Sequence, residues 1–208
     1  MSRENILHRV RTGIGRGAAD APAPAPPVRL RIPEVNREER IASLLARVEA
    51  LAAMAVRSCD PAGVVAELIE GKTVVASNAP FLAECGVTAL EGVRSGITDG
   101  EELRDLCATA DCGITSADYA LADTGSLVMI AGPREARLIS LLPPMHIAVV
   151  PAERILTGLD ELFTLVPNPA EVTSSMVIIT GPSRTADIEQ ILVRGVHGPG
   201  KLAVIVAG

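Results

Sequence analysis

Aromatic side chains are nearly missing from these 208 residues: one Tyr, two Phe and no Trp. Proteins that hold single-stranded nucleic acid stack bases on several aromatic rings, so that function finds no support here. Lysine is almost absent as well. Of nineteen cations seventeen are Arg, which beside so many Ala reflects composition more than chemistry. No apolar run reaches about 18 residues, so no membrane span is expected. Met1–Val10 mixes charge with apolar residues and lacks an apolar core segment, so no secretory leader is expected. A cytoplasmic location with reduced thiols is the resulting expectation.

The four cysteines, Cys59, Cys85, Cys107 and Cys112, include no CxxC pair. The three histidines, His8, His146 and His197, stand far from them and from one another. Iron–sulfur and zinc centres need tighter ligand spacing, so neither a metal nor a cofactor is expected. The net charge of −6 is uneven. Residues 1–40 hold eight Arg and five acids, whereas the remainder holds eleven cations and twenty acids. The acidic body repels duplex phosphate, and the short N-terminus is too mixed for a nucleic-acid arm.

What is present is ordinary globular material: 48% hydrophobic and 21% charged residues. A chain of this length buries enough surface to fold without disulfides. Ser2–Arg16 has the spacing of a short amphipathic helix, ended by Gly13, Gly15 and Gly17. Asp20–Pro33 (DAPAPAPPVRLRIP) is too rich in Pro for helix and reads as a semi-rigid strap. Residues 1–35 are thus expected to be peripheral, and 36–208 to form one α/β body.

In that body, Asn36 caps a helical pattern that runs to Arg57, with Ile41, Leu44, Leu45, Val48, Leu51, Ala52 and Ala55 as its apolar stripe. Asp60 and Pro61 open a second helix, and Gly71 stops it. Strands are expected at 73–76, 111–116, 117–122, 126–130, 146–150, 175–180 and 202–207. Helices are expected at 100–110, 134–142, about 152–165 and 186–192. The alternation indicates a mostly parallel sheet flanked by helices.

In such sheets ligands gather outside the carboxyl ends of the strands. Two loops suit that place. One is Thr180–Asp187 (TGPSRTAD). Gly181 admits a close ligand, Ser183 and Thr185 can cap a helix, and Arg184 offers a fork of donors to an anion. The same residues also make an ordinary capped turn. The other is Ser116–Ser126 (SADYALADTGS). There Asp118, Asp123, Thr124 and Ser126 crowd polar groups around Gly125. The two carboxylates suit general-base and positioning work, or else Asp123-Thr124-Gly125 is simply a hydrogen-bonded turn. His197, between glycines, suits acid–base or anion-binding work. His146 reads as a core-edge residue, and Cys112 as either a nucleophile or, more commonly, a buried structural thiol.

Taken together, GITSADYALADTGSLVM (Gly113–Met129), GPREARLISLLPPMHIAVVP (Gly132–Pro151) and ITGPSRTADIEQILVRGVHGPGKLAVIV (Ile179–Val206) resemble the lactate-utilisation protein C (LutC/YkgG) family of LUD-domain proteins. The resemblance covers about Asn36–Gly208. It implies a fold similar to the NagB/RpiA/CoA-transferase group. It also implies the non-iron–sulfur component of a system oxidising L-lactate to pyruvate, whose partner subunits carry the clusters, and a site for a small anionic ligand. The alternative is a stand-alone enzyme of the cyclo-ligase or CoA-transferase kind, acting on a nucleotide or phosphorylated ligand. The first kind expects a glycine-rich phosphate loop, which is missing. The second needs a Glu nucleophile on a strand-end loop, and sequence singles none out. Fold alone does not choose between these functions.

Overall fold

The computed structural model describes residues 2–15, 32–186, 192–194 and 198–208. The chain divides into two compact units, residues 1–30 and 31–208. In the first, α1 (Arg3–Gly13) is capped by the Ser2 hydroxyl, which accepts from the Asn5 N–H at 3.3 Å. None of its residues is buried.

The second unit starts with α2 (Arg37–Ala50), where the Asn36 side chain accepts from the Glu39 N–H at 2.9 Å. Here the helix is shorter than its apolar pattern. Ala52 adopts φ 60, a left-handed conformation, and the chain turns into strand β1 (Met54–Ser58). Then come α3 (Pro61–Ile69), β2 (Val74–Ala76), α4 (Pro80–Glu84), β3 (Val93–Arg94), α5 (Gly100–Thr109) and β4 (Cys112–Ser116). Next are β5 (Tyr119–Leu121), β6 (Ser126–Ile130), α6 (Arg137–Leu141) and β7 (Met145–Pro151). The remainder is β8 (Ile155–Leu156), α7 (Leu159–Leu165), α8 (Pro169–Val172), β9 (Met176–Ile179), β10 (Arg184–Ala186), β11 (Leu192–Arg194) and β12 (Lys201–Ala207).

Six strands form one parallel sheet in the order β1-β12-β7-β4-β2-β3. Its central strands are apolar on both faces because helices cover both. On one face Ile147, Val149, Ala203 and Ile205 meet Val65 and Ile69 of α3 and Leu82 of α4. On the other, Ala148, Val150, Val204 and Val206 meet Ile41, Leu44 and Val48 of α2. That face also receives Leu127 and Met129 from a second sheet, ordered β8-β5-β6-β9. This second sheet, largely antiparallel, is an addition to the architecture read from sequence.

Three helix expectations are corrected. Residues 54–57 are strand, residues 155–156 are strand ahead of α7, and α6 begins at Arg137 instead of 134. Where a helix was expected over 186–192, the described ends belong to β10 and β11, which pair as an antiparallel ribbon. Residues 187–191 lie outside the described part.

Candidate functional site

At the carboxyl edge of the parallel sheet, the chain leaving β2, β4 and β7 surrounds a cavity of about 540 Å³. Phe81, Ser116, Asp118, Arg134, Glu135 and Arg154 are among its walls. This is the edge where parallel α/β sheets hold ligands. The loop Gly132–Glu135 is a turn closed by two backbone hydrogen bonds of 3.1 Å between its end residues. Pro133 suits its second position, since the ring presets φ there. The Asn78 N–H donates to the Arg134 carbonyl at 2.9 Å and ties this turn to the end of β2.

The turn aims Glu135 inward. The Ser77 hydroxyl, itself buried, donates to Glu135 Oε2 at 2.8 Å. Glu135 Oε1 is buried and has no hydrogen-bond partner among the described residues. Burial pushes this carboxyl up to about 8, and the nearby Asp118 charge adds to the shift, against the Ser77 hydroxyl and the Ser116 backbone. Near neutral pH Glu135 therefore largely keeps its proton, and Oε1 is a hydrogen-bonding group without a partner among the described residues, on a residue of the cavity wall.

Asp118 is pushed up as well, by burial, while the Ile130 N–H (2.6 Å) and the Arg154 charge oppose this. Arg154 stacks over the Tyr119 ring with its guanidinium carbon 5.4 Å from the centroid, a favourable cation–π distance. One neutral carboxyl, a second carboxyl and two guanidinium groups thus share one cavity wall. The arrangement can accept a small anion and can hold or pass a proton beside it.

The residues singled out from sequence fall in different places. Asp118 lies in this cavity. Thr124, Ser126 and Thr180 come together, with Ser126 Oγ 2.8 Å from Thr124 Oγ1 and 2.7 Å from Thr180 Oγ1. The loops carrying them are indeed neighbours, because β6 pairs with β9. Their setting differs from the expected carboxyl edge. The turn 122–125 packs on the last turns of α2. The loop after β9 meets Leu51 and the starts of β7 and β12, at the sheet's amino edge.

The glycines there serve helix packing. At Gly125 (φ 73) a Cβ would stand 2.8 Å from Arg47 Cβ and 3.0 Å from the Val48 nitrogen. At Gly181 (φ 81) it would stand 3.1 Å from Leu51 Cβ. Asp123 is apart from Asp118 and lies against Gly158 and Thr157. The Ser183 N–H donates to the Pro199 carbonyl at 2.9 Å. Arg184 and Thr185 contribute backbone to β10, and His197 lies outside the described residues. Cys112 is fully buried and burial pushes its thiol up to about 12, the setting of a structural thiol.

Glu135 escaped the sequence reading. It stands in GPRE, a surface-type turn, and its burial depends on Ser77, 58 residues away. The one available signal was its position just after a strand-ending Gly-Pro.

An α/β protein with a parallel sheet and a loaded carboxyl edge is the class that fold and cavity define. The LUD domain profile matches residues 34–207, so the chain belongs to the LUD domain family. Its relatives include lactate utilization protein C of Halalkalibacterium halodurans, 35% identical over 150 residues, which are 68% of this chain and 65% of that protein. Lactate utilization protein C 1 of Bacillus mycoides is 35% identical over 146 residues, 65% of this chain and 62% of that protein. The chain thus spans slightly less than two thirds of the length of these relatives. A crystal structure of a DUF162 family protein from Deinococcus radiodurans shares the fold, with a TM-score of 0.66 and 23% identity over 84% of this chain and 99% of the other.

Among the described residues no group of three or more His, Cys, Asp or Glu is placed to hold a metal ion. No described helix is long and apolar enough to cross a membrane.

Proposed function

We propose that this chain is the component without iron–sulfur clusters in a lactate-utilisation system, working beside cluster-bearing subunits, and that it binds a small hydroxy-acid anion of lactate's class at the carboxyl edge. The observation that carries the reading is Glu135, a cavity-wall residue whose buried carboxyl holds its proton near neutral pH, with Oε1 unpartnered among the described residues. The kinship with proteins named lactate utilization protein C supports the substrate class.

In this reading Arg134 and Arg154 attract the ligand carboxylate, for which the planar guanidinium is well shaped. Glu135 donates its proton in a hydrogen bond to the same ligand, and Asp118 accepts from the ligand hydroxyl. Raising the pH through about 8 ionises Glu135, turns a donor into a repelling charge and weakens binding.

Calorimetric titration of the full chain with L-lactate, D-lactate and pyruvate at pH 6.5 and 9 tests this. Saturable binding of at least one acid, tighter at pH 6.5 and weakened about tenfold or more by Arg154→Ala, is the expected result. Binding that is indifferent to both pH and Arg154 would refute it. Asp123, Thr124, Gly125, Ser126, Gly181, Ser183, Arg184, Thr185 and His197 make a second reading of the anion site, and Arg184→Ala in the same titration separates the two.

A further inference from the structure

A second cavity opens at the opposite, amino edge of the sheet, between the end of α6, strand β9 with its following loop, and the start of β12. Its volume is about 440 Å³, within the range of small-molecule sites. His146 of β7 forms part of its wall and is 1% exposed. The imidazole Nε2 lies 2.8 Å from Thr115 Oγ1 on the neighbouring strand. Its Nδ1 is buried and has no partner among the described residues.

A buried polar atom without a partner is uncommon in a folded protein, and here it belongs to a residue of a cavity wall. The rest of the wall sets the character of that group's owner. Leu51, Leu141, Val177, Ile179 and Leu202 supply apolar surface. Thr180 has already engaged its hydroxyl with Ser126. Among the described lining residues none carries a charge.

We infer that this cavity is a binding site for a compact neutral molecule with an apolar body and one hydroxyl or amide group, which hydrogen-bonds to His146 Nδ1. The ring is neutral at physiological pH, since burial pushes it down to about 4. If Nε2 carries the proton, Nδ1 accepts. If Thr115 donates to Nε2, Nδ1 carries the proton and donates. A hydroxyl or an amide answers either tautomer, whereas a carboxylate answers one and adds an unpaired charge to an apolar cleft. The site is separate from the carboxyl-edge cavity and does not rest on the function proposed for it.

The test uses the full chain labelled with 15N-histidine, its His146 signals assigned from the His146→Gln variant, and three probes of similar shape. These are p-cresol, toluene and 4-methylbenzoate. The expected result is a saturable shift of the His146 ring nitrogens by p-cresol, with affinity roughly 3- to 10-fold above toluene and with 4-methylbenzoate weakest. His146→Phe should erase the preference for p-cresol over toluene. If that variant does not fold, the wild-type comparison decides alone. Equal affinities for p-cresol and toluene, tightest binding of 4-methylbenzoate, or no saturable shift with any probe overturns the inference.

Discussion

Replacing Glu135 by Gln gives the sharpest test of the carboxyl-edge cavity, because it keeps the shape and removes the titration. In the folded chain the carboxyl is raised from 4.5 to about 8. Between those values the native state holds a proton that the unfolded state has released, so stability must fall as pH rises through that window. Below about 4.5 both states are protonated and above about 8 both are ionised, so the contribution is flat outside it. At about 1.4 kcal/mol per pH unit the ceiling is roughly 5 kcal/mol. Water reaching the open side of the cavity lowers this, and about 2–4 kcal/mol is the expected loss. The Gln carbonyl still accepts from Ser77, and the amide faces the cavity as the acid proton did. Urea unfolding at pH 5, 6, 7, 8 and 9 reads the difference between wild type and variant, in which the other titrating groups largely cancel. The variant should match wild type near pH 5 and exceed it by about 2–4 kcal/mol near pH 9. Parallel stability curves for the two proteins across this range would show that Glu135 is ionised throughout, and the reasoning about the site would fail with it.

His146 titrates with the opposite consequence. Its folded value is pushed from 6.5 down to about 4, so the unfolded state binds the proton first and stability falls as pH drops from 6.5 towards 4. His146→Gln should flatten that acid limb in the same urea series. Gly113→Ala should cost at least about 3 kcal/mol, because the new Cβ would meet the Ile139 carbonyl oxygen of α6, which is backbone and cannot rotate away. Urea midpoints read this directly. Removing residues 1–34 should leave a chain that melts cooperatively with its helix signal intact, and circular dichroism during heating checks it.

Much of the parallel sheet was legible because its strands are uninterrupted apolar runs, MHIAVV and LAVIVA above all, and because Asn36 and Asp60 announce their helices by side-chain caps. Strand β1 was not. Leu51, Ala52 and Ala55 extend the apolar stripe of α2 without a break, and the chain changes direction at Ala52, a residue type that gives no warning of a left-handed turn. The candidate site was half legible. Asp118 stood out as a polar group in an apolar stretch, but Glu135 and Arg154 are surface residue types in local sequence. The burial of the Glu135 carboxyl and the charges that Arg154 and Asp118 bring beside it arise only when β2, β4 and β7 bring distant loops to one edge.

The strand order carries a consequence for how the chain is made. Lys201–Ala207 lies in the interior of the sheet, between Met54–Ser58 and Met145–Pro151. A ribosome delivers that stretch after nearly everything it must pair with. Until residue 207 has cleared the exit tunnel, Met54–Ser58 has no neighbour in the sheet and the apolar side of α2 lacks Val204 and Val206 as a floor. Folding of this unit is therefore held back until Lys201–Ala207 has emerged, and the nascent chain carries an open strand edge for that interval.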